Sequence, residues 1–298
     1  MKVLFLLLGI SVIAGFDLDG FRVTYGPLEN IKEYFFKIPR TVEEAKMEGW
    51  SYAERPPGPL QQLKMYCSPG WYICPLYAPD FIAGLQIALP ADDLYTAAID
   101  PNKWFTKWKT PANGSDPGKV YWTITQYYVS EETLEAGCGP QAINGSTLQG
   151  DGVWVHDHSG QLMLIPRTEA EIKSKTPFTK QNCIPRMGTH YRYNMTREMP
   201  CETQLPWFAL TIDGQLIGSG LQFFGDLTKP TEYRNWFERI RSTRTSARAV
   251  VPIGPECYYD YADKHRTFSL HIYFMDDPEK IKCRLEDSAD PSTLLEFN

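Results

Sequence analysis

The chain has 298 residues, 43% hydrophobic and 22% charged, with a formal net charge of −6. It is long enough to bury a core. Its negative balance argues against nucleic acid and against an anionic membrane surface as partners. Aromatic residues reach 13%, including 17 Tyr and 8 Trp, which suits the pleated faces of β-sheets and equally a ligand site lined with rings.

The opening "MKVLFLLLGISVIAGF" has a basic start at Lys2, an apolar run over 3–13 and small residues at Ala14 and Gly15. It reads as a signal peptide over 1–15. No other run approaches the ~20 apolar residues that a membrane helix needs, so a secreted, extracellular protein with no membrane span is expected. An N-terminal segment with the Pro-rich connector "ERPPGPL" follows over 16–60, and a main β-rich domain over 61–298. "TVEEAKMEGW" predicts a short helix opened by a capping box from Thr41 to Glu44 and stopped at Gly49. "DFIAGLQIAL" reads as a strand. "VYWTITQYYV" alternates, placing Tyr121, Thr123, Thr125 and Tyr127 on one face and Trp122, Ile124 and Gln126 on the other.

"GVWVHDH" and "QLMLIP" flank a hairpin turn at Ser159-Gly160. "TEAEIKSK" repeats the capping device with Thr168 and Glu171. "WFALTI" and "QLIGSGLQFF" flank Asp213-Gly214, a strong hairpin signal. "TEYRNWFERIR" carries Tyr233, Trp236, Phe237 and Ile240 at helical spacing and predicts an amphipathic helix over 231–241 that packs on a sheet. "RIRSTRTSAR" reads as its solvated end, and "TFSLHIYF" as the last strand. The sum is an α+β fold, predominantly antiparallel β, closing as a barrel or a sandwich with a few short helices.

Seven cysteines in an oxidising compartment predict three disulfides and one thiol over. Cys67, Cys74, Cys183, Cys201, Cys257 and Cys283 are assigned to disulfides, with Cys67–Cys74 and Cys183–Cys201 as the simplest local closures. Cys138, between glycines, is either the odd thiol or a further pairing candidate, and secretion favours pairing. Sequons at Asn113, Asn144 and Asn194 predict glycosylation.

Residues two apart on a strand share a face, so His156 and His158 can in principle reach one metal ion. The adjoining turn and the want of a third ligand favour a plain hairpin tip, and no metal is assigned. His190 in "MGTHYRY" and His271 in "SLHIYF" form the best acid/base pair if they meet. Their neighbours Tyr191, Tyr193 and Tyr273 are candidate ligand-lining residues. "IGSGL" falls short of a nucleophile elbow because position 216 is Leu. With no Walker loop and no dinucleotide fingerprint, no cofactor is expected.

"DFIAGLQIAL", "CIPRMGTHYRYNMTREMPCETQLPWFAL" and "SLHIYF" together resemble a family of uncharacterised secreted invertebrate proteins. The resemblance spans roughly 67–283, and its middle block is the specific part. It implies that Cys183, Cys201, His190 and His271 matter, and it implies no reaction. The first expectation is therefore a secreted, disulfide-stabilised glycoprotein that binds a small apolar or aromatic molecule in a β-lined cavity. The alternatives are a cofactor-independent enzyme on such a molecule, an acid/base catalyst or luciferase-like oxygenase, and an extracellular matrix or venom-type interaction protein. A cavity holding both histidines favours the first two; a packed interior with exposed aromatic patches favours the last.

Overall fold

The computed structural model describes residues 17–24, 34–95, 97–112, 116–135, 146–227 and 234–293. The signal segment, Asn113, Asn144 and Cys138 lie outside these residues.

The described residues form two antiparallel sheets of eight strands, packed face to face, and one two-stranded sheet. The early part of the chain contributes β1 (Arg22–Val23), β2 (Phe36–Lys37), α1 (Val42–Met47), β3 (Ser51–Ala53), β4 (Lys64–Cys67) and β5 (Ile73–Tyr77). Next come β6 (Ile82–Pro90), β7 (Leu94–Tyr95), β8 (Thr106–Lys109), β9 (Val120–Tyr127) and α2 (Glu131–Glu135), then β10 (Gly152–His156) and β11 (Leu162–Pro166). After α3 (Glu169–Lys175) follow β12 (Phe178–Ile184), β13 (Gly188–Tyr193), β14 (Trp207–Ile212), β15 (Gln215–Phe224) and β16 (Asp226–Leu227). The last elements are β17 (Glu238–Ile240), α4 (Arg244–Val250), α5 (Glu256–Lys264) and β18 (Thr267–Tyr273).

The first sheet runs β11-β10-β9-β6-β5-β4-β3, with β8 beside β9; the second runs β12-β13-β14-β15-β18-β1-β2, with β17 beside β18. The choice between barrel and sandwich thus falls to a sandwich. Its central core is apolar: Leu85, Ile87, Ile124 and Val153 from one sheet meet Tyr191, Trp207, Leu221, Leu270 and Ile272 from the other. A polar tie crosses it where Ser219 Oγ donates to Gln126 Oε1 at 2.8 Å. Gln126 shares this inward face with Ile124, and the alternation of β9 predicts that the two share a face.

Local signals explain most elements. Thr41 and Thr168 accept from the backbone N–H groups of Glu44 and Glu171, capping α1 and α3. Gly49 beyond α1 takes a φ of 76°. Asp213 and Gly214 both have positive φ, 48° and 79°, as a two-residue hairpin turn requires. In the stretch "ERPPGPL", Arg55 is pinned to the carbonyls of Pro59 and Leu60 and to the Tyr127 hydroxyl.

The helix expected over 231–241 does not form in its described part, 234–241. Residues 238–240 are β17, paired with β18 from Glu238↔Ser269 to Ile240↔Thr267. Trp236 and Phe237 are buried as expected, but consecutive apolar residues also satisfy a short strand, and an available sheet edge overrides weak helical periodicity. Cys67 pairs with Cys74 as expected. Cys183 does not pair with Cys201: the bonds are Cys183–Cys283 and Cys201–Cys257. Sequence distance misleads here, because β12 and the loop after β13 each lie under a segment from much later in the chain.

Those two bonds fasten a third layer over the outer face of the second sheet. Tyr258, Tyr259 and Ala262 of α5 and Ala247 of α4 pack there with Met195, Met199 and Phe224. A strap over 276–293 covers the β12 edge, where Ser288 Oγ accepts from the Cys183 N–H at 3.1 Å and the Ala289 N–H donates to the Gln181 carbonyl. An otherwise open sheet edge is thereby closed.

Candidate functional site

Pleat and register assemble a polar cluster on that covered face. Arg192, Phe208, Gly220 and His271 stand in one row across β13, β14, β15 and β18. His190, Leu210, Gly218 and Tyr273 form the next row, and Gln222, Ser269 and Glu238 the row on the other side. Alternation gives these positions a common face. Gly218 and Gly220 leave β15 bare between the histidines, and the Phe208 ring lies across Gly220, where any Cβ would strike its Cζ, Cε1 and Cε2. The "IGSGL" stretch is therefore a strand that yields space to an aromatic ring.

His190 and His271 meet. Their ring centroids are 5.8 Å apart at 90°, and each also touches Phe208, at 5.3 and 5.2 Å. His271 Nδ1 lies 2.7 Å from Glu238 Oε2, which also accepts from Ser269 Oγ at 2.6 Å. His190 Nδ1 lies 3.3 Å from the Asn182 carbonyl. Carbonyl oxygens only accept, so His190 carries its proton on Nδ1. The His271–Glu238 contact is the carboxylate-oriented imidazole that acid/base chemistry uses. Beside them the buried Arg192 guanidinium lies over the rings of Phe208 and Tyr258, at 5.0 and 5.8 Å, and donates from Nη2 to Gln222 Oε1. Gln222 Nε2 donates to the Tyr258 hydroxyl at 3.1 Å.

Burial holds the His190 imidazole well below its ordinary pKa, with His271 and Arg192 adding to the effect. A folded value below the unfolded one of about 6.5 means that stability is full above pH 6.5 and is lost as pH falls through the folded value. The expected slope in that window is about 1.4 kcal/mol per pH unit from this one group. Urea unfolding at successive pH values checks it: the slope shrinks in His190→Gln if His190 is the proton acceptor and persists if it is not.

The tyrosines divide. Tyr273 joins the cluster, stacked near His271 at 6.2 Å and donating to the Arg186 carbonyl at 3.2 Å. Tyr191 and Tyr193 follow the opposite pleat. The Tyr191 hydroxyl donates to Glu169 Oε1 at 2.5 Å, and burial followed by that carboxylate raises its pKa. Tyr193 packs on Phe178 and His158. His156 and His158 part company too: His156 faces the Tyr127 ring, whereas His158 lies between Trp104 and Tyr193. Asp157 caps the turn, accepting from Ser159 N, Ser159 Oγ and Gln161 N. Among the described residues no three His, Cys, Asp or Glu side chains converge as a metal site would require, and no helix is long and apolar enough to cross a membrane. Asn194, the described sequon, is exposed.

Both histidines are buried, His190 at 1% and His271 at 5% exposure. An apolar cleft opens at the end of the sheet beside the cluster. Ala97, Trp104, Phe105, Phe223 and Phe224 form its almost wholly apolar walls, and Gln204 and Gln222 are polar residues among those that line it. The space between its walls is about 360 Å³, in part open to solvent, and holds about one water. Gln204 is only 3% exposed, yet neither atom of its amide has a hydrogen-bond partner among the described residues.

Glu238, Arg192, Gln204 and Gln222 escaped the reading of the sequence. Glu238 lay in a segment read as helix. Arg192 had a usable signal, since a strand that puts His190 inward puts Arg192 inward as well. No protein-family model, curated protein or solved structure matches the chain.

Proposed function

We propose that this disulfide-stabilised β-sandwich is a secreted glycoprotein, akin to the invertebrate family it resembles, that binds a small, largely aromatic molecule in the cleft beside the histidine cluster. The unpartnered Gln204 amide carries the reading. A buried amide without a partner is costly, and ligand sites combine apolar walls with a few convergent polar groups. Trp104, partly exposed and braced by His158 at 4.7 Å, is the side chain that must swing to admit a ring.

The test is a titration of wild type and Ala97→Phe with 2-naphthamide, followed by tryptophan fluorescence. Saturable binding by wild type that weakens about tenfold or more in the filled variant is expected, since one lost ring contact in a pocket is worth about 1–3 kcal/mol. Equal binding by both proteins would place the molecule elsewhere.

The Glu238–His271 contact favours a second reading, an acid/base enzyme acting on the molecule so bound. In that case Glu238→Gln lowers turnover of the bound compound about 100-fold with little change in affinity.

A further inference from the structure

We infer that the molecule bound in this cleft carries a carboxylate, and that Arg192 receives it. The inference rests on the binding role proposed above and names the ligand's class. Arg192 is 3% exposed. Of its guanidinium nitrogens, Nε and Nη1 have no hydrogen-bond partner among the described residues, and Nη2 has only the neutral Gln222 oxygen. Its other close neighbours are the faces of Phe208 and Tyr258. Glu238, the buried carboxylate of the cluster, is engaged through Oε2 by Ser269 and His271, while its Oε1 has no hydrogen-bond partner among the described residues.

A guanidinium stays charged in proteins and presents a planar fork that fits a carboxylate with two parallel bonds. A buried charge is ordinarily paired, and among the described residues this one has no anion. Gln222 shows where the anion goes. Its planar amide has the shape of a carboxylate, its oxygen already takes the Arg192 proton, and the same side chain lines the cleft. A carboxylate arriving through the cleft displaces the Gln222 oxygen from Nη2 and bonds there and at an adjacent unused nitrogen, Nε or Nη1. The aromatic body then rests against Phe223 and Phe224. The Tyr258 hydroxyl, now bonded to Gln222, is the second donor at the same place.

The full secreted protein is titrated with 2-naphthoate and its neutral isostere 2-naphthamide. A preference for the acid of about tenfold or more is expected from a charge-assisted pair, and Arg192→Met should reduce it to about twofold or less. Gln222→Glu gives an independent reading that survives a poorly folded Arg192 variant. It supplies the anion from within, so it should raise Tm by a few degrees and abolish the preference for 2-naphthoate. Equal affinity for acid and amide in wild type, with both lost in Ala97→Phe, would remove the carboxylate and leave the cleft. Loss of Tm in Gln222→Glu would show that Arg192 is not short of an anion. Binding of neither compound would overturn both readings.

Discussion

Replacing Gly220 with Val is expected to destabilise the protein by about 3–5 kcal/mol, the range for expelling a buried phenylalanine and straining its surroundings. The reason is local. Phe208 is 1% exposed and its ring occupies the space over Gly220. A side chain there must drive the ring out of the gap that also brings His190 and His271 together. Gly220 is not among the glycines with positive φ, so the penalty is one of space and not of backbone strain. The double variant Gly220→Val, Phe208→Ala separates the two. Recovery of at least about 1 kcal/mol over the sum of the single losses is expected for groups in contact. Additive losses in urea unfolding would mean that the ring is not what Gly220 accommodates.

Removing Cys183–Cys283 ranks beside it. The bond closes 100 residues, Cys201–Cys257 closes 56 and Cys67–Cys74 only 7. Chain entropy then predicts losses of about 4.7, 4.2 and 2.4 kcal/mol for the respective paired Cys→Ser variants. A protein of ordinary stability, about 5–15 kcal/mol, would be left marginal by the first. The first also frees the strap from β12, two residues of which, Asn182 and Cys183, bond to Asp290 and Ser288. Asn182 holds His190 through its carbonyl, so ligand affinity should fall along with stability. If the Cys67–Cys74 variant were the least stable of the three, loop length would not be the controlling quantity.

What the sequence discloses and what it withholds follow from range. Turns and caps are set within four residues, so Asp213-Gly214, Thr41 and Thr168 were legible. Alternation is equally local, and it put Gln126 on the same face of β9 as Ile124. The meeting of His190 and His271 depends on strand order. Only a sheet that runs β13-β14-β15-β18, with glycines on the strand between, lets residues so far apart in the chain touch, and no local pattern encodes that order. The same holds for Cys183–Cys283 and for Glu238, whose role depends on β17 adding to the edge beside β18. Tyr191 and Tyr193 were grouped with His190 by proximity along the chain, while the pleat separates odd from even positions.

The most direct test of ligand binding is a native mass spectrum of the full protein expressed in its source organism and treated with a glycosidase, recorded beside Ala97→Phe produced in the same way. The expected result is an excess mass on the wild type matching one small organic acid, released on collisional heating and missing from the filled variant. The bare polypeptide mass expected from its own sequence for each protein, across gentle and harsh conditions, would contradict a ligand held in the cleft.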